Sequence, residues 1–221
     1  MQTFDITAPV LAVLDVPSGR IQVIAADRAD AAVEVRPANA SKGRDVRAAE
    51  RTLTEYADGV LRIGARADGG RHTGPRGSVE VTLRLPAGSR VEAKAAATEF
   101  RAVGRLGDIA FEGAHQQIKI DEATGVRLTA VDGDIEIGRL DGPADISTER
   151  GDIRITEATH GTVALRTGSG SITIGAATGT SATLDAGTTH GRISNTLKND
   201  GTTTLHIHAT TPMGDITAHS L

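Results

Sequence analysis

Residues Val126 to Ile174 read VRLTAVDGDIEIGRLDG, ADISTERGDIRITEATHG and VALRTGSGSITI, three near-copies of one short pattern. Each copy holds an alternating apolar strand, a polar turn ending in Gly, an Ile-x-Ile strand and a second small turn. The glycines that open the Ile-x-Ile strands, Gly133, Gly151 and Gly170, are separated by 18 and 19 residues. A repeat this short, with two strands and no helix, predicts a β-solenoid coil. Ile at the inward positions of one strand stacks on Ile of the next rung, while Gly permits the tight corner between strands. Asp beside that Gly is expected to hydrogen-bond the backbone of its own turn. One such unit cannot bury its apolar face alone, so the fold is stabilised by neighbouring coils.

The composition agrees. Aromatics are only 2 %, Trp is absent and there are 26 glycines. A narrow coil filled by Ile, Val, Leu and Ala does not need large aromatics. With 24 % charged and 38 % hydrophobic residues the chain is of ordinary globular composition. Its net charge of −4 is spread along the sequence without a basic run, which argues against nucleic acid as a partner. There is no cysteine, hence no disulfide and no thiol chemistry. The opening MQTFDITAPVLAVLDVPSG has an early acid and no basic n-region, and its apolar run Val10–Val16 is broken by Asp15. Neither a signal peptide nor a membrane span is expected, and the default setting is cytoplasmic.

Outward from the repeat, further openers are Gly107, Gly191 and Gly214, the step from Gly107 to Gly133 being 26 residues, as if that coil carried an insertion. Six openers at one strand spacing per rung predict a section roughly 24–29 Å long. The regular coils are assigned to residues 91–221. Residues 1–90 are read as N-terminal strands and a hairpin that begin or cap the same continuous domain, with Gly19-Arg20-Ile21-Gln22-Val23 a degenerate copy of the unit. Asp58-Gly59 predicts a tight hairpin that sets Tyr56 opposite Leu61. Ser41–Glu50 is the one plausible helix, with Asp45 its N-cap; a loop is the alternative. Residues 64–77, Gly- and Arg-rich, are expected to be an exposed loop. The N-terminal hairpin region and the C-terminal strand with its loop are expected to cap the two ends of the rod.

Several stretches carry a resemblance: Met1–Val10, Asp27–Ile63, the ladder of Gly-Asp-Ile and Gly-Ser-Ile units, and the ending MGDITAHSL. Over essentially its whole length the chain resembles a bacterial β-strand-repeat family of unknown function known as the "putative adhesin" domain, and within it the actinobacterial cytoplasmic members. The resemblance implies the fold. The adhesin name implies an extracellular role, which the missing export signal does not support.

Three sets of residues are candidates for chemistry. Asp108, Asp134, Asp152 and Asp215 all follow an opener glycine, and Asp134 and Asp152 at equivalent corners would bring two carboxylates close enough for a cation; turn-forming Asp exposed to water is the simpler reading. His206 and His208 point to one face of a strand, but two ligands do not close a metal site. His160 and His190 are read as turn residues, His72 and His115 as loop residues. Asp132, Asp134, Glu149 and Asp152 with Arg150 or Arg154 would supply the acids and cation of a polysaccharide-cleaving face, yet any polar solenoid face offers as much. Gly168-Ser169-Gly170-Ser171 has neither the elbow of a hydrolase nucleophile nor the Lys of a phosphate loop. No catalytic residue, cofactor or metal is therefore assigned. The leading expectation is a non-enzymatic interaction scaffold that binds a protein or self-associates through its ends or a flat face. A carbohydrate-binding or carbohydrate-active solenoid comes second, recognisable by a groove of convergent acids with Arg or Lys. A surface adhesin comes third.

Overall fold

A computed structural model describes residues 1–6, 8–65, 77–115 and 117–221. The predicted loop 64–77, with His72, lies mostly outside them. In chain order the elements are β1 (Gln2–Asp5), β2 (Leu11–Asp15), β3 (Ser18–Ala26), β4 (Asp30–Pro37), α1 (Gly43–Arg51), β5 (Thr52–Ala57) and β6 (Val60–Ala65). Next come β7 (Val79–Pro86), β8 (Arg90–His115), β9 (Ile118–Asp132), β10 (Ile135–Leu140), β11 (Ala144–Arg150) and β12 (Ile153–Ala158). The last six are β13 (Gly161–Thr167), β14 (Ile172–Ala176), β15 (Ala182–His190), β16 (Ile193–Thr196), β17 (Leu205–Met213) and β18 (Ile216–Ser220).

The strands form the single-domain, solenoid-like architecture that the repeat predicts, with the sheet left unclosed. Two walls face each other across one apolar core. In the first wall the inward column runs, in spatial order, Val81, Ile21, Phe100, Ile118, Ile135, Ile153, Ile172, Ile216, Ile193, each in parallel register with the next. All but the last are buried. Eight rung spacings make this wall about 38 Å long. In the second wall Leu61, Ala12 and Val91 are in register, as are Ile109, Val126, Ala144, Val163, Ile207 and Leu184. The start and end of β8 join these two runs, the Gly107 N–H donating to the Ser89 carbonyl at 2.9 Å and Lys94 pairing with Glu112 at 3.4 Å.

The period of the first wall therefore passes through Phe100, Ile118 and Ile135, and Gly107 is not one of its openers. Gly107-Asp108-Ile109 lies in the second wall, Ile109 opposite Val126. The 26-residue step is no insertion: the rung between is opened by Gln117, and the local text Gly-Asp-Ile serves either wall.

Both ends of the rod depart from chain order. The coil β2–β3 sits between β6–β7 and β8. The coil β17–β18 sits between β13–β14 and β15–β16. The C-terminal strand is thus no cap. It is paired on both edges, one rung inside the end, and the preceding coil β15–β16 is outermost. The N-terminal end is sealed differently. β4 runs antiparallel on β7, β1 antiparallel on β4, and β5 antiparallel on β6. The Asp58-Gly59 hairpin does place Tyr56 opposite Leu61. Phe4 of β1 meets Tyr56 of β5 with ring centroids 5.8 Å apart, and Ala48 and Ala49 of α1 pack on the same core. The helix is capped by Lys42 without a side-chain bond. Asp45, expected as the cap, lies inside the first turn, where its buried carboxylate accepts the Ser78 N–H at 3.0 Å. Asp45 thus ties the helix to the segment that enters β7.

Candidate functional site

The corners that open the first-wall strands show what the Asp row does. The Asp134 Oδ1 accepts the Asp152 N–H at 2.9 Å, the Asp152 Oδ1 accepts the Ser171 N–H at 2.7 Å, and the Asp215 Oδ1 accepts the Arg192 N–H at 2.8 Å. Each carboxylate reaches the next rung instead of its own turn, contrary to the expected intraturn bond, because the neighbouring backbone is stacked directly above it. Asp108 belongs to the other wall and accepts a hydrogen bond from the Thr124 hydroxyl at 3.3 Å, so the row of four does not exist as one site.

A second set of side chains completes these corners and was not singled out in the sequence. Thr148, Thr167, Thr188 and Thr211 each stand three residues before an opener glycine. The hydroxyls of Thr167, Thr188 and Thr211 donate to the carbonyls of Gly151, Gly214 and Gly170 in the adjacent rung, at 2.9, 3.0 and 2.9 Å. The Thr-x-x-Gly spacing was the available signal. Thr167→Val keeps the shape at a buried position but leaves the Gly151 carbonyl without this donor. It is expected to cost about 1–3 kcal/mol in chemical denaturation, whereas the exposed Thr156→Val should change stability by less than about 0.5 kcal/mol.

The remaining candidates are dispersed. His206 and His208 face outward from β17, each beside a residue of β15: His206 Nδ1 lies 3.2 Å from the Thr183 hydroxyl and His208 Nδ1 3.3 Å from Asp185 Oδ2. Among the described residues no three His, Asp or Glu side chains are grouped to hold a metal ion. Asp132 pairs with Arg150 at 3.1 Å, so this acid and this cation hold adjacent rungs together. Glu149 and Arg154 are exposed on separate strands. His160 lies in a turn between β12 and β13, and His190 ends β15. His115, expected in a loop, ends β8 opposite Asp132. Two carboxyls are held below the ordinary range: Asp200, by the Thr202 amide and then the Ser181 hydroxyl, and Asp30, by the adjacent Arg28 guanidinium. Both serve local turns.

What the strands do bring together is a groove on the outside of the second wall, about 550 Å³ in volume. It crosses β2, both ends of β8, β9, β11 and β13, a run of about 24 Å at one strand spacing per rung. Its floor is low because Ala110, Gly125 and Ala164 occupy outward positions there; a Cβ at Gly125 would lie 2.7 Å from Asp108 Oδ1. Its rims carry Arg90, Glu92, Asp108, Arg127 and Asp145. Asp145 is paired with Arg166 at 2.9 Å. Arg90, Glu92 and Arg127 have no ion-pair partner among the described residues. Low-floored and rimmed by both signs of charge, this groove has the form to accept an extended chain of mixed charge. No helix of the described residues is long and apolar enough to cross a membrane.

The chain belongs to the Toastrack DUF4097 family, whose family model matches residues 12–219. No curated protein matches it in sequence. Among solved structures it is similar to a "putative lipid binding protein" of Parabacteroides distasonis ATCC 8503, with 14 % identity and a TM-score of 0.45 over 98 % of this chain and 95 % of that one. It is also similar to a "putative adhesin" of Bacteroides fragilis NCTC 9343, with 13 % identity and a TM-score of 0.41 over 98 % and 95 %. A "putative cell adhesion protein" of Clostridium sporogenes ATCC 15579 has 11 % identity and a TM-score of 0.39 over 100 % and 98 %.

Proposed function

We propose that this Toastrack chain is a non-enzymatic interaction scaffold whose binding surface is the groove of the second wall. The observation that carries the reading is the groove itself: rims with Arg90, Glu92 and Arg127, which have no ion-pair partner among the described residues, over a floor of Ala110, Gly125 and Ala164. A rigid two-wall rod fixes these groups on strands, so an extended protein segment meets a preorganised array and not a mobile loop. The partner chemistry that fits is a strand-like peptide carrying both signs of charge.

A second reading has its own support. Asp108 and Asp145 share the groove with Arg127, the acid-plus-arginine combination expected of a carbohydrate-binding solenoid. Gly125→Trp separates the alternatives by filling the floor, and Arg127→Glu does so from the exposed rim without touching packing. Affinity capture from source cells and a glycan array are run in parallel on the wild type and both variants. A protein partner lost about tenfold or more in the variants supports the scaffold. Glycan binding lost in the same variants replaces it with the carbohydrate reading. Binding indifferent to both substitutions overturns the groove as the site. The cytoplasmic setting belongs to the same proposal, and fractionation that puts the native protein on the cell surface would substitute the adhesin reading.

A further inference from the structure

The two ends of the rod are built unequally, and the difference identifies a second surface. At the N-terminal end Phe4, Tyr56, Ala48 and Ala49 close the gap between the walls. At the C-terminal end only the smaller, partly buried Leu184, Ala186 and Leu197 pack on the core among the described residues, and no aromatic residue follows Phe111 in the sequence. The outermost coil is β15–β16. The chain crosses this end beside Ala182, whose N–H donates to the Lys198 carbonyl at 3.0 Å. Among the described residues, β15 pairs beyond that crossing only with β17, and β16 only with β18. All four residues of β16 are exposed. Ile193, last in the buried isoleucine column and in register with Ile216, is 47 % exposed. Exposed edges are normally blunted by Pro, Lys or inward charges. β15 (ATLDAGTTH) contains one charged residue, the outward Asp185, and β16 (ISNT) contains none.

We propose that the C-terminal end is a homodimer interface in which β15 and β16 of one copy continue both walls of a second copy. An added strand must complete two sheet edges at once, separated by the width of the core, about 10 Å. A single peptide can extend one edge; a partner that itself ends in two walls extends both and covers Ile193. This chain supplies such a partner in its own C-terminal end, because the N-terminal end is closed by α1 and the Phe4–Tyr56 contact. A two-fold axis perpendicular to the walls sets β15 antiparallel to its mate and β16 antiparallel to its mate. The contact is isologous and closes at two copies, so it does not grow into fibres. It deepens the scaffold reading by doubling the groove, and rests on that reading only for its use; the interface stands or fails on oligomeric state.

Light scattering on the full chain across concentration is expected to give twice 22.8 kDa. Ile193→Lys, at a half-exposed position, is expected to weaken the dimer at least about tenfold by placing a charge at the column end. Leu53→Lys, exposed at the N-terminal end, leaves it intact. Because the chain has no cysteine, Ser194→Cys, Asn195→Cys and Thr196→Cys give a second readout that leaves the core untouched. At least one is expected to form an intermolecular disulfide on mild oxidation, while Ser41→Cys forms none. A monomer at every concentration without cross-linking overturns the proposal. So does a dimer indifferent to Ile193→Lys, growth beyond two copies, or an end that takes up only a single-strand peptide. None of these outcomes depends on Gly125 or Arg127, so failure of the interface and failure of the groove are read separately.

Discussion

Ile153→Asp is expected to abolish cooperative folding. Ile153 is completely buried and stacked in register between Ile135 and Ile172. Its neighbours across the core are aliphatic, so an aspartate there finds no cation and no donor. Losing the isoleucine forfeits about 1.5–3 kcal/mol of burial, and a carboxyl kept neutral without a hydrogen bond adds several kcal/mol more. Together these rival the 5–15 kcal/mol or so that typically separates folded from unfolded states. The position aggravates the loss, because a break in mid-column separates rungs that stabilise one another only as neighbours. Arg154→Asp, one residue along and facing water, should change stability by less than about 1 kcal/mol. Thermal melts followed by far-ultraviolet circular dichroism make the comparison. A cooperative Ile153→Asp melt close to that of Arg154→Asp would show that the column is not what holds the rod together.

The same column marks how far the sequence could be read. Ile135, Ile153 and Ile172 announce themselves because alternation with period two and a recurrent glycine are local signals. So is Asp58-Gly59, whose φ angles of 50° and 77° are those of a tight hairpin turn. Rung order at the ends is not local. Gly191-Arg192-Ile193 and Gly214-Asp215-Ile216 carry the same Gly-x-Ile text, and nothing in either string says which lies next to Ile172. Asp108 shows the complementary ambiguity, since Gly-Asp-Ile opens a strand in either wall. The period of about 18 residues through Phe100, Ile118 and Ile135 was present in the sequence, but Gln117 and Glu99 disguise the corners that Gly-Asp marks elsewhere. The Thr-x-x-Gly spacing is equally local, but threonine is at home in any strand and does not by itself mark a corner. The groove was not visible at all. Its floor and rims come from five separated strands, and only the register of the walls puts Ala110, Gly125 and Ala164 in one trough.

Gly151→Ala is the second substitution with a large expected effect, and its size separates two reasons for a glycine. The residue has φ +131°, and a Cβ there would lie 2.3 Å from the Gly133 carbonyl oxygen and 2.6 Å from its carbon. The obstacle is backbone of the adjacent rung, held by the Arg150 carbonyl's bond from the Gly133 N–H and by the Asp134–Asp152 contact. It cannot swing aside as a side chain would, so the rungs must part. Gly179 has φ +81° with nothing within 4 Å of its Cβ position. Gly179→Ala therefore carries only the cost of a left-handed residue, about 1–2 kcal/mol. Gly151→Ala adds the clash, and a loss of about 4 kcal/mol or more is expected, in the range reserved for a named structural failure. Urea denaturation at 25 °C measures both on one scale. Equal losses would mean that backbone angle alone selects glycine at the corners. A much larger loss at Gly151 would mean that the rungs touch there, and that the opener glycines set how closely the coils stack.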